Sequence, residues 1–205
     1  MASSVNTPYG LQPIQRFGSA DYRANLVVFE APTTNALFLG DPVVRITASG
    51  VAPGTGYDGA FQKCDLVTAA SNHKVTGAVV GFLGSSPNGA FLGFGLGNGP
   101  YYKATNIASQ YVVVDTDPNS EYVVQCTGTP AATVVGQNTS LVSGTGSKVT
   151  GWSGWQASAT TGTSATAQLT IMGFLPEADN LVGNKFAKLI VRINLSTEAT
   201  GVVGI

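Results

Sequence analysis

The sequence is poor in the residue types that most catalysis and metal binding use. Among 205 residues there are one histidine, two cysteines and 10% charged side chains. His, Cys, Asp, Glu and Lys supply most general acids, bases and metal ligands. An enzyme is therefore not expected, and neither is a metal or a cofactor. Cys64 and Cys126 form no CxxC pair. A Ser-His-Asp arrangement would have to use His73, which lies in the polar stretch Ser71-Asn72-His73-Lys74 with no GxSxG elbow to accompany it. His73 reads as a solvated turn residue.

Charge of either sign is scarce as well. Ten basic and eleven acidic residues leave a net charge of −1. The basic residues are scattered, and only Lys185, Lys188 and Arg192 approach a cluster. A nucleic-acid partner needs a basic stripe to neutralise phosphates, so direct DNA or RNA binding is not expected. No segment approaches ~20 unbroken apolar residues, so no membrane-spanning helix is expected. Residues 1–17 carry no apolar run of signal-peptide length, which predicts synthesis in a cytoplasm. In that setting Cys64 and Cys126 are expected as free thiols in half-buried strands, and a disulfide between them after release to an oxidising exterior stays open.

What the chain has in quantity is glycine (26 residues) and a 43% apolar fraction, together with Val, Thr, Ala and Ser in short runs between turns. A charged fraction of 10% lies well below the average of about 25% for soluble domains. Such an exterior predicts a surface covered in an assembly. The length suits one body with a real core.

No helical period stands out. Strand signals are frequent: Leu26–Glu30, Pro42–Thr47, Phe61–Val67, Val75–Leu83, Tyr111–Asp115, Glu121–Cys126, Thr139–Val142, Lys148–Trp155, Ala165–Phe174 and Phe186–Leu195. Gly77 and Gly81 inside the fourth predict a bulge or a close backbone approach. Asp117-Pro118-Asn119 is strong turn chemistry, so the strands on either side are expected to form a hairpin. The expected fold class is all-β: a single antiparallel barrel or sandwich, jelly-roll-like, with long Gly-rich loops. Residues 1–18 read as an extended N-terminal arm, 19–195 as the β-rich body and 196–205 as a C-terminal tail. The apolar end of that tail (Val202, Val203, Ile205) is explained if it docks.

Other constellations are weak. Gly93–Gly99 is glycine-rich, but Pro100-Tyr101-Tyr102 follows where a dinucleotide fold needs a helix. Gly144–Lys148 lacks the spacing of a P-loop. Asp115, Asp117 and Glu121 bracket a turn and read as turn formers rather than a catalytic pair. Trp152 and Trp155 keep a carbohydrate-binding reading open through stacking on sugars. Three apart, they cannot share one strand face, so one is expected in the core.

Four blocks carry a resemblance. They are Asn6-Thr7-Pro8-Tyr9-Gly10-Leu11-Gln12-Pro13-Ile14, Leu37-Phe38-Leu39-Gly40-Asp41-Pro42-Val43-Val44, Gly77-Ala78-Val79-Val80-Gly81-Phe82 and Ala187-Lys188-Leu189-Ile190-Val191-Arg192-Ile193-Asn194-Leu195. In order and spacing, the chain resembles the small capsid cement (head decoration) proteins of tailed bacteriophages from about Asn6 to Leu195. The resemblance implies a virion protein on the outer capsid surface that cements adjacent major capsid protein subunits against the pressure of packaged DNA. It implies a homotrimer on local three-fold axes, with a dimer as the alternative. A tail or fibre component is the competing virion role, although no repeat or heptad supports it.

In this reading the arm lies extended on coat protein or on a neighbouring subunit, with Tyr9, Leu11, Ile14 and Phe17 as anchors. The alternative is an arm that pairs with its own body. The first alternative predicts that deleting residues 2–17 leaves a folded domain. Phe91, Leu92 and Phe94 in the loop 84–99 are second contact candidates, at a subunit interface or tucked on the core.

Overall fold

Short β-branched runs need partners on both edges, and the chain supplies them from distant segments. The computed structural model describes residues 5–14, 26–31, 35–46, 62–70, 72–84 and 111–198. Within them lie eleven strands: β1 (Gln12–Ile14), β2 (Leu26–Glu30), β3 (Pro42–Ile46), β4 (Lys63–Leu66), β5 (Gly77–Gly84), β6 (Tyr111–Asp115), β7 (Glu121–Gln125), β8 (Asn138–Val142), β9 (Gln156–Gly162), β10 (Leu169–Phe174) and β11 (Lys188–Ile193). The protein is all-β, and no helix occurs among the described residues.

Strands β2, β4, β3, β5 and β6 close into a five-stranded barrel. All neighbours are antiparallel except β2 and β4, which meet in parallel at Glu30 and Lys63. Phe29, Leu37, Val43, Cys64, Val79, Val112 and Val114 fill its interior. Strand β6 is buried at every position. Val112 and Val114 face the barrel interior, while Tyr111 and Val113 pack with Leu83 in a separate small cluster. That explains an unbroken apolar run where a half-exposed strand would alternate. The register of β5 against β6 slips between Val79 and Gly81, the irregularity that its glycines predict.

A second, six-stranded sheet has the order β1-β7-β11-β10-β8-β9. Its core includes Leu11, Tyr122, Val124, Leu141, Trp155, Leu169, Ile171, Leu189 and Val191. Val67, Val75 and Ala78 from the barrel side join the same cluster, so the two sheets share a core. Strand β11 alternates as expected, with Leu189, Val191 and Ile193 buried and Lys188, Ile190 and Arg192 half-buried. The sheet curls until Ala157 at the start of β9 bridges Cys126 just past β7.

Two sequence expectations are corrected. Strands β6 and β7 do not form a hairpin: β6 lies between β2 and β5, and β7 between β1 and β11. The turn itself is present. Ser120 N–H donates to the Asp117 carbonyl (3.0 Å), and Asn119 N–H donates to Asp117 Oδ1 (2.8 Å). Closure of the barrel occupies both edges of β6, so the turn carries the chain out of the barrel and into the sheet. The segment 148–155 is not a strand either. Gly151 N–H donates to the Ser147 carbonyl (2.8 Å) and Ser147 N–H to the Trp152 carbonyl (2.9 Å). These bonds fold it into turns, and the strand starts at Gln156.

The described part of the N-terminal arm runs extended and joins its own sheet. Strand β1 pairs with β7, Gln12 opposite Val123 and Ile14 opposite Glu121. Upstream, the buried Gln125 side chain acts as a surrogate strand. It accepts from Thr7 N–H (3.0 Å) and donates to the Val5 carbonyl (2.9 Å). The start of the tail also docks: Thr197 N–H donates to the Val75 carbonyl (3.1 Å), and Arg45 pairs with Glu198 (2.9 Å). Val202, Val203 and Ile205 lie outside the described residues.

Candidate functional site

Three segments far apart in sequence converge beside the arm: Tyr9–Leu11, the turn Phe38–Asp41 that leads into β3, and the loop 143–155. Leu11 N–H donates to the Gly40 carbonyl (2.8 Å). Leu39 N–H donates to the Gly151 carbonyl, and the Leu39 carbonyl accepts in return from Ser153 N–H, both at 2.9 Å. Gly40 N–H reaches the Val79 carbonyl in β5 (2.8 Å), which ties the junction to the barrel. Gly10 and Gly40 have φ of +74° and +87°, a region where a side chain strains the backbone. A Cβ at Gly10 would meet the Gly40 carbonyl and lie 2.5 Å from Ser153 Cβ. The backbones therefore touch at distances only glycine allows.

Asp41 is the electrostatic centre of this junction. It is 2% exposed, and its Oδ2 accepts from Phe38 N–H (2.8 Å). Burial raises its pKa to about 6 against the lowering effect of hydrogen bonds from the Ser153 side chain and Phe38. The Tyr9 hydroxyl is buried with no hydrogen-bond partner among the described residues. Burial, and secondarily the Glu177 carboxylate, pushes its pKa above the usual phenol value.

In front of the junction opens a cleft of about 590 Å³ lined by Tyr9, Gln12, Thr145, Ser147, Thr150 and Trp152, among others. Trp152 is 41% exposed and Trp155 only 5%. The expected division into one surface and one core tryptophan therefore holds.

No family model, curated protein or solved structure matches this chain.

Of the contact residues read from the sequence, Tyr9, Leu11 and Ile14 lie among the described residues. Leu11 is fully buried in the sheet core, so it anchors the arm to its own body and is removed from the contact set. Tyr9 is half-buried in the cleft wall, and Ile14 is half-buried in β1. Phe17, Phe91, Leu92 and Phe94 lie outside the described residues. Deleting residues 2–17 would remove Leu11 and β1, so the expectation of an intact domain after that deletion is revised to a destabilised one.

The remaining candidates fall where turn or core chemistry places them. His73 is exposed in a turn. Asp115 is fully buried, Asp117 caps its turn, and Glu121 pairs with Arg192 at 2.8 Å. Both cysteines are buried and free, Cys64 within the barrel and Cys126 within the sheet core. No cluster of three metal-ligating side chains occurs among the described residues. The Asp41–Ser153 contact was not foreseen from the sequence. Its one local signal is the Gly40-Asp41-Pro42 turn.

Proposed function

We propose that this protein is a capsid cement protein of a tailed bacteriophage. In this reading it binds the outer face of the head and ties adjacent major capsid protein subunits together. The observation that carries the reading is spatial. The four sequence blocks that resemble the decoration family are neighbours in the fold. The first reaches the second through Leu11 and Gly40, the second reaches the third through Gly40 and Val79, and β1 reaches the fourth through β7. The resemblance therefore falls on one connected framework rather than on scattered surface loops.

A second observation favours a covered surface. Strands β8 and β11 both run antiparallel to β10; β11 starts near its C-terminal end, and β8 starts opposite Thr170. The turns that precede them present Val135 (51% exposed), Leu181 (54%) and Val182 (54%), and Met172 (40%) is exposed on β10. These exposed apolar side chains are the proposed coat-protein contact. Many weak contacts acting together would hold the shell through effective concentration. The resemblance favours a homotrimer on local three-fold axes over a dimer.

The test is the amount of this chain in purified virions, by quantitative mass spectrometry against the coat protein. About one copy per coat subunit is expected. A handful of copies per particle would move the protein to a tail or vertex, and absence would overturn the reading.

A further inference from the structure

We infer that the cleft beside Trp152 is a binding site for a neutral saccharide. Trp152 is 41% exposed, while its neighbours Gly151 and Ser153 are buried. The ring is carried on a clamped backbone. The Trp152 carbonyl accepts from Ser147 N–H at 2.9 Å, its N–H donates to Thr150 Oγ1 at 3.4 Å, and it bridges to Leu39. An exposed indole on a fixed main chain is a preformed platform, which lowers the ordering cost of binding.

The lining chemistry selects the ligand class. No lining residue is charged, so nothing compensates an anionic or cationic ligand for desolvation. The face of the indole is electron-rich, and the axial C–H bonds of a pyranose present the complementary weakly positive face. Around it stand hydroxyls already committed as acceptors. Ser147 Oγ accepts from Thr150 N–H (3.2 Å), and Thr150 Oγ1 accepts from Trp152 N–H. Each keeps its own proton to donate, which suits the ring and hydroxyl oxygens of a sugar. The cleft volume of about 590 Å³ falls within the ~300–1,000 Å³ of small-ligand sites. Of the two aromatics that line the cleft only Trp152 is exposed, and Tyr9 is half-buried; one open aromatic face suits a stacked ring better than a proline-rich helix, which docks in a groove lined by several aromatics.

The experiment is an amide and indole N–H NMR titration of the full chain with maltotriose, cellotriose and chitotriose, each to about 10 mM, which detects binding with a Kd on the order of 1 mM or tighter. Saturable shifts of the Trp152 indole and of Thr145, Ser147 and Thr150 are expected with at least one sugar. Trp152→Ala should weaken binding at least ~10-fold while its spectrum stays dispersed. Ser147→Ala, which leaves the platform intact, should weaken it less. The inference fails if none of the three sugars shifts these signals. It also fails if Trp152→Ala binds as well as the parent, or if a proline-rich peptide binds there and the sugars do not. The virion role is a separate proposal, and this titration on the isolated chain leaves it untouched.

Discussion

Substituting Gly10 by alanine should be among the most damaging single-methyl changes in this protein. Gly10 has φ of +74°, and an added Cβ would meet the Gly40 carbonyl, with Ser153 Cβ at 2.5 Å and Ser153 Oγ at 2.6 Å. Holding a non-glycine residue in the left-handed region costs about 1–2 kcal/mol. Overpacking adds about 1–3 kcal/mol, because the first obstacle is a backbone carbonyl and the second is a Cβ on a buried loop. Together these come to about 2–5 kcal/mol. Peeling the arm away would relieve the clash, but it would expose Leu11, whose burial is worth about 1.5–3 kcal/mol. Either route costs a similar amount. Urea unfolding monitored by tryptophan fluorescence reads it directly: with an m-value of about 2 kcal/mol/M, the midpoint should fall by about 1–2.5 M. Amide exchange at residues 9–14 would separate global loss from local peeling. A midpoint within ~0.2 M of the parent would refute the close-packed junction.

Asp41 predicts a pH dependence with a definite sign. Its folded pKa of about 6 lies above the unfolded value of about 4, so the folded state holds the proton more tightly. Stability from this residue is complete below pH ~4 and declines by about 3 kcal/mol as pH rises through 6; Asp41→Asn should flatten that decline in thermal midpoints, and an unchanged slope would contradict it. Phe186 sits at φ +60°, so Phe186→Gly should be more stable than Phe186→Ala by about 1 kcal/mol, the left-handed cost that alanine retains; equal midpoints would show that the backbone relaxes. Burial pushes the Cys64 thiol up to about 12 and raises that of Cys126. Both should therefore react with a thiol reagent only as fast as the protein opens, and rapid stoichiometric labelling of the native chain would be the contrary result.

Local chemistry made some elements legible and left others hidden. Leu26–Glu30 and Tyr111–Asp115 have the bounds read from the sequence, because β-branched runs between turn residues leave little choice. Strand β9, Gln156–Gly162, was missed. Its Ala, Ser and Thr residues carry no apolar period, and it becomes a strand because β8 and the end of β7 present partners. The absent hairpin at Asp117-Pro118-Asn119 has a related cause. Turn residues fix how the chain bends, whereas pairing is decided by which edges the rest of the fold leaves open. The tryptophan pair divides as expected, one exposed and one buried, but not through strand alternation, since Trp152 and Trp155 both lie in the loop before β9. The junction of Gly10, Gly40 and Ser153 was not readable, since its parts are separated by some thirty and more than a hundred positions.

The order of strands in the second sheet constrains how this chain is born. Strand β1 emerges before the other described strands, yet its partner β7 is more than a hundred residues away, and β7 in turn pairs with β11, some sixty residues further on. The barrel strands, by contrast, all lie within residues 26–115. A nascent chain can therefore complete the barrel while its first strand waits unpaired, and the shared core closes only when β11 has been released. Such long-range closure is intrinsically slow, and the waiting segment is exposed to association with other chains. Synthesis rate and the supply of chaperones should accordingly govern the yield of this protein more than its final stability does.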